Sequence, residues 1–288
     1  MRWDPDPGWP IGVFDSGLGG LTVWRALRRR LPQERLLYFA DTARLPYGER
    51  SPEEILTFVR QILTWMQAQP VKLVVMACNT SSALALEHVR QEFALPILGL
   101  ILPGAQAALS QGSRIGVIAT AATVKSRAYS RAIQEYSALD RRRFPQPVQC
   151  WEQACPEFVP LIEAGQLDGP ALRQAAERYL QPLLQQGIDT LVYGCTHYPL
   201  LDPLLKSLLP PAVKRVDPGV ALVRSLAREL SLWGLRRPSA AAQEEPYRFC
   251  VSGDPERFAR LATPWLGFRP QVERVEWPAL DVNSSRRP

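Results

Sequence analysis

Lysine, histidine and long apolar runs are what this sequence has little of. Of its 34 basic residues only four are lysine, Lys72, Lys125, Lys206 and Lys214. None accompanies a phosphate-binding loop, so a pyridoxal-type cofactor is not indicated and no cofactor is expected. There are two histidines, His88 and His197, and the closest cysteines form the C-x4-C of Cys150 and Cys155. Neither supplies the clustered Cys/His spacing of a zinc site, so no metal is expected. No uninterrupted apolar stretch approaches the roughly 20 residues that cross a bilayer, which excludes a membrane partner of that kind. The start, MRWDPDPGWP, lacks the basic and apolar regions of a leader, and a cytoplasmic protein is expected. In that compartment the five cysteines (Cys78, Cys150, Cys155, Cys195, Cys250) read as thiols.

The net charge of +6 is carried mainly by scattered arginines. The two clusters, RALRRR (25–30) and DRRRF (140–144), are not interleaved with the aromatics of a nucleic-acid groove and read as solvated faces. A nucleic-acid partner is not expected.

With 288 residues and 46% hydrophobic content, the chain is long enough for two folded domains. Strand-like runs occur at 11–14, 35–39, 71–76, 114–119, 190–193 and 247–251, and helical periodicity at 53–68, 81–92, 121–136, 170–186 and 220–232. This alternation predicts an α/β fold with parallel sheets flanked by helices. IGVFDSG (11–17) echoes IGVIATA (115–121), and LVVMACNT echoes TLVYGCTH, setting Cys78 on Cys195. Two pseudo-symmetric domains facing each other would bring both thiols, at strand C-termini, to one interdomain cleft. His88 lies in an Ala- and Leu-rich helical segment and reads as a surface or half-buried residue; Cys150, Cys155 and Cys250 read as structural.

A thiol with an ordinary pKa of about 8.5 needs only modest help to act as a base near neutrality. Asn79, Thr80 and Ser81 follow Cys78, and Thr196 and His197 follow Cys195. Two thiols on opposite sides of a ligand suit removal of a proton from a stereocentre by one and return of a proton to the other face by its partner. A cysteine hydrolase built on Cys195 and His197 is the rival use, and it leaves Cys78 without a role.

IGVFDSGLGGLTV, YFADTARLPYGERS, VVMACNTSSALA, ACPEFVPLIEAG and LVYGCTHYPLL, in that order, resemble the glutamate racemases of the cofactor-independent aspartate/glutamate racemase superfamily. SGDPERFARLATPWLG is similar as well. The resemblance implies interconversion of L-glutamate and D-glutamate, supplying peptidoglycan synthesis, with Cys78 serving the D-enantiomer and Cys195 the L-enantiomer. It implies that Asp15 assists Cys78, and that Glu163 and His197 assist Cys195. The substrate clamp it implies comprises Asp15, Ser16, Tyr47, Gly48, Asn79, Thr80, Thr196 and His197; Thr123 is a further candidate from the second half. Its alternatives are a racemase of aspartate or a related acid, and a non-catalytic gyrase-inhibiting role.

The family also implies a homodimer and a first domain completed by the C-terminal segment, 1–101 plus 216–288, with 102–215 as the second. Gyrase or a cell-wall precursor is a candidate regulatory partner. ILPGA and VDPG punctuate the boundaries. The stretch 236–245 reads as an exposed loop, DVNSSRRP as a disordered end, and the cleft between the domains as one that closes on substrate.

Overall fold

The computed structural model describes residues 4–238 and 246–276. Most of the expected loop at 236–245, and the C-terminal DVNSSRRP, lie outside the described residues. Among the described residues ten strands alternate with helices: β1 (Ile11–Asp15), β2 (Leu36–Ala40), β3 (Leu73–Met76), β4 (Ile97–Gly99), β5 (Arg114–Ala119), β6 (Gln149–Ala154), β7 (Thr190–Gly194), β8 (Lys214–Val216), β9 (Tyr247–Val251) and β10 (Val272–Arg274). They form two sheets, ordered β10-β9-β2-β1-β3-β4 and β6-β5-β7-β8, and every pairing is parallel. This is the α/β architecture with two parallel sheets that the alternation predicts.

Both faces of each sheet are covered, which is why the central strands are almost continuously apolar. In the first sheet Ile11, Val13, Leu36, Tyr38, Leu73 and Val75 point into one core, whereas Phe14, Leu37, Phe39, Val74 and Met76 point into another. The second sheet divides in the same way, with Val117 and Val192 on one face and Ile118 and Leu191 on the other. Among the described residues no helix is long and apolar enough to cross a membrane.

Two expected helices are each broken. The segment read as 81–92 is Asn79–Leu84 and Leu86–Glu92, interrupted at Ala85. The segment read as 121–136 is Ala121–Ser126 and Ala128–Leu139. Arg127 between them is left-handed (φ 54°), and the Ser126 hydroxyl accepts the Ala128 N–H. ILPGA, expected as a punctuating boundary, instead opens the helix Ile101–Gln111. Pro103 falls in its first turn, where a missing N–H costs nothing.

The chain passes between the sheets twice, after β4 through Leu100 and after β8 through Asp217, and the two passages touch. A Cβ on Gly104 would sit 3.0 Å from Pro218 and 3.1 Å from Tyr129. Asp217 caps the helix Pro218–Leu232 by accepting the Gly219 N–H at 2.8 Å.

At the N-terminal edge of β3, Lys72 and Glu34 form a buried ion pair, 0% and 3% exposed. Lys72 Nζ also donates to the Pro7 and Leu235 carbonyls, each at 2.9 Å, while Glu34 accepts the Arg237 N–H at 3.1 Å. Burial lowers the Lys72 pKa, and Glu34 opposes that.

Candidate active site

Cys78 and Cys195 each lie just beyond a central strand, β3 and β7, and both line one cavity of about 480 Å³ between the sheets. This is the juxtaposition that the echoed motifs predict. Ser16, Tyr47, Gly48, Asn79 and Thr80 reach the cavity from the first sheet's side. Glu163, Thr196 and His197 reach it from the second. All five cysteines are free thiols. Among the described residues no group of three or more His, Cys, Asp or Glu is placed to hold a metal.

The backbone at Cys78 is still extended (φ −131°, ψ 122°) and the helix Asn79–Leu84 starts at the next residue, so the thiol sits at a strand-to-helix junction. Burial pushes its pKa up to about 12, and the Asp15 carboxylate adds to the rise; the Ser81 N–H and hydroxyl work against it. At neutral pH Cys78 is therefore a protonated thiol. Asp15 is itself fully buried. Its Oδ2 accepts the N–H groups of Gly17 (3.0 Å) and Gly20 (2.8 Å), while Oδ1 has no hydrogen-bond partner among the described residues. Burial raises the Asp15 pKa, partly offset by His197 and the glycine amides.

On the other side, His197 Nδ1 lies 3.7 Å from the Cys195 sulfur and Nε2 lies 2.9 Å from Glu163 Oε1. Burial disfavours a charged ring, yet the hydrogen bonds to Cys195 and Glu163 outweigh it and push the His197 pKa up to about 10. The imidazolium is thus a ready partner for a thiolate. Glu163 ends the short helix Phe158–Glu163, which follows Cys155. The Trp265 ring meets His197 edge-on, with centroids 6.1 Å apart.

Because the His197 pKa is raised above its ordinary 6.5, its contribution to stability is complete below about 6.5 and is lost as pH rises through about 10. Across that window the unfolding free energy is expected to fall with a one-proton slope of at most about 1.4 kcal/mol per pH unit. Urea melts of His197→Asn should lack that component, and an identical pH dependence in both proteins would contradict the charged ring.

Several contacts cross between the halves at the cavity. Tyr129 donates to Asn79 Oδ1 (2.6 Å), the Thr80 and Thr120 hydroxyls are 3.0 Å apart, and Thr22 donates to the Thr196 carbonyl (2.9 Å). Gly19 packs against this seam so closely that a Cβ there would fall 2.4 Å from His197 Nδ1 and 2.6 Å from Thr196 Oγ1. Gly19→Ala is accordingly expected to displace the His197 ring and reduce turnover by about 10²-fold, since errors of an ångström in reacting groups have that effect. A near-normal rate in a well-folded Gly19→Ala protein would refute the tight seam.

Two expected substrate contacts do not reach the cavity wall. Asp15 is drawn behind it by the amides of Gly17 and Gly20. Thr123 is fully buried, its hydroxyl within hydrogen-bond distance of Thr80 (3.4 Å) and Thr120 (3.0 Å); Thr120 and Ala121 line the cavity instead. Tyr47 lines it, but its hydroxyl is engaged by Asp41, which also pairs with Arg44. Cys155, read as structural, reaches the same cavity, whereas His88 is exposed. Sequence reasoning missed Asp254, Arg257, Phe258 and Leu261, which the helix Pro255–Leu266 and its cap bring to the cavity, with Asp254 and Arg257 on the exposed side. Their signal was the SGDPERF run, a capped helix start far along the chain from either thiol.

The Asp/Glu/Hydantoin racemase family matches residues 20–226. A glutamate racemase from Gloeothece citriformis is 57% identical over 276 residues, covering 96% of this chain and 95% of that relative. The crystal structure of glutamate racemase isoform RacE1 from Bacillus anthracis superposes with a TM-score of 0.85 at 34% identity, covering 94% of this chain and 98% of that one. A glutamate racemase from Francisella tularensis in complex with D-glutamate gives 0.83 at 33% identity, with the same coverage.

Proposed function

Since the chain belongs to the Asp/Glu/Hydantoin racemase family, we infer that it interconverts L-glutamate and D-glutamate with two thiols acting from opposite faces of Cα. The observation that carries this reading is the presence of Cys78 and Cys195 on one cavity, each supported by its own acid/base neighbours. In the L-to-D direction, Cys195 as thiolate takes the Cα proton, with the His197 imidazolium beside it and Glu163 holding the ring. Cys78, kept protonated by burial, delivers its own proton to the opposite face. In the D-to-L direction Cys78 must first lose that proton, and Asp15, made more basic by its burial, is the acceptor.

Negative charge develops on the α-carboxylate as the proton leaves, so donors aimed there matter more than those elsewhere. Each is worth about 2.7 to 4 kcal/mol in comparable oxyanion sites. Asn79, Thr80, Ser16 and Thr196, with their hydroxyl, amide or backbone N–H groups, are among the donors on the wall. His197→Asn removes the imidazolium and is expected to reduce kcat by at least about 10²-fold, the usual scale for a positioned acid or base.

The domain division 1–101 plus 216–288 and 102–215 belongs to this reading, as do a cytoplasmic homodimer, supply of D-glutamate to peptidoglycan, and control by a cell-wall precursor. The test is incubation of the purified protein with L-glutamate in deuterated water without added cofactor. Loss of optical activity with deuterium at Cα of both enantiomers is expected. Absence of both changes, or the same changes with aspartate alone, would overturn the glutamate reading.

A further inference from the structure

Glutamate carries two carboxylates into a cavity whose own charged side chains are mainly acidic. Glu49, Glu163 and Asp254 line it beside the His197 imidazolium, and among the described residues Arg257 is the only arginine or lysine that does. Glu163 is bonded to His197, and Asp254 accepts the N–H groups of Glu256 (2.9 Å) and Arg257 (3.2 Å) as the cap of the helix Pro255–Leu266. Glu256 pairs with Arg269. That leaves the Arg257 guanidinium, on an exposed residue in the first turn, without a hydrogen bond or ion pair among the described residues. The buried Phe258 and the half-buried Leu261 continue the wall behind it as apolar surface. Next to such a surface a guanidinium attracts an anion more strongly than it would in open water.

We propose that Arg257 is the capture residue of this cavity: it draws the dicarboxylate substrate to the mouth by pairing with a substrate carboxylate, and so sets the preference for an acidic amino acid. This rests on the glutamate reading. Arg257 belongs to substrate binding, since proton transfer is assigned to the thiols. The five donors of a guanidinium suit a carboxylate geometrically, but at a solvated mouth charge contributes most, so lysine should substitute in large part.

The experiment compares wild type, Arg257→Ala and Arg257→Lys by circular dichroism with each enantiomer of glutamate across a salt series. For Arg257→Ala the KM is expected to rise about five- to tenfold for both enantiomers with kcat within about twofold, the scale of one partly solvated ion pair. The decline of wild-type kcat/KM with added salt should flatten in Arg257→Ala, because a rim charge acts through encounter. Arg257→Lys should restore both KM and salt dependence to within about threefold. An unchanged KM and salt slope in Arg257→Ala overturns the proposal. So does a collapse of kcat that lysine does not rescue, which would mark Arg257 as a structural part of its helix. A wild-type protein that fails to racemise glutamate would strike down the glutamate reading itself, whereas an active wild type with an indifferent Arg257→Ala removes only the capture role.

Discussion

Replacing Cys78 or Cys195 with serine is expected to lower racemisation of either enantiomer by about 10³-fold or more, because the proposed mechanism uses both thiols in every turnover and a hydroxyl is far too weak a base near neutrality. The two variants should differ in what they retain. Cys78→Ser keeps the Cys195–His197–Glu163 arrangement, so it should still exchange the Cα proton of L-glutamate for deuterium without inverting it. Cys195→Ser should do the same for D-glutamate, more slowly, since burial holds Cys78 in its protonated form. Both should fold, because the change is nearly isosteric and each residue borders a cavity. Circular dichroism and mass spectrometry read the two quantities separately. Near wild-type racemisation by both variants would end the two-thiol mechanism.

Loss of the Lys72–Glu34 pair is expected to be the largest single-residue effect on stability. Lys72→Met leaves Glu34 buried and without its cation, and removing one member of such a pair costs about 3–5 kcal/mol. Glu34→Gln strands the ammonium instead. The double replacement Lys72→Met/Glu34→Leu should recover much of the loss, since the buried pair itself contributes little net stability once desolvation is counted. Urea unfolding measures all three, and a single variant within about 1 kcal/mol of wild type would show that the pair is not buried as described. Catalysis should be largely spared where the variants remain folded. Lys72 precedes β3 and Cys78 follows it, so they lie about 20 Å apart along a strand rising about 3.3 Å per residue.

How much of this could be read in advance follows from where each element lies. The central strands β1, β2, β3, β5, β7 and β9 are buried along most of their length and appear in the sequence as dense apolar runs. The four strands that went unread, β4, β6, β8 and β10, are the four sheet edges. Three are only three residues long, and β6, QCWEQA, is half-buried and largely polar, so neither length nor periodicity marks them. A strand with a single neighbour, short or only half-buried, leaves a weak imprint on composition.

The same distinction separates the parts of the site. Cys78 with Asn79 and Thr80, and Cys195 with Thr196 and His197, are contiguous in sequence and were legible as units. The position of Asp15 behind the wall depends on the amides of Gly17 and Gly20, and that of Thr123 on two other threonines. Arg257 owes its place to a helix that packs near β9 and extends to His197 through Trp265, a relation no local pattern encodes.

The abutting passages at Gly104 and Pro218 have a mechanical consequence. Were one half to swing about the other, these two pinned helix starts would be its axis, and sliding or twisting the halves apart would first have to break their contact. Atoms near that axis keep their separations through the swing, and displacement grows with distance from it. Opening the cavity in that way would have to break the Tyr129–Asn79, Thr80–Thr120 and Thr22–Thr196 contacts, while the pairing within each sheet would stay intact.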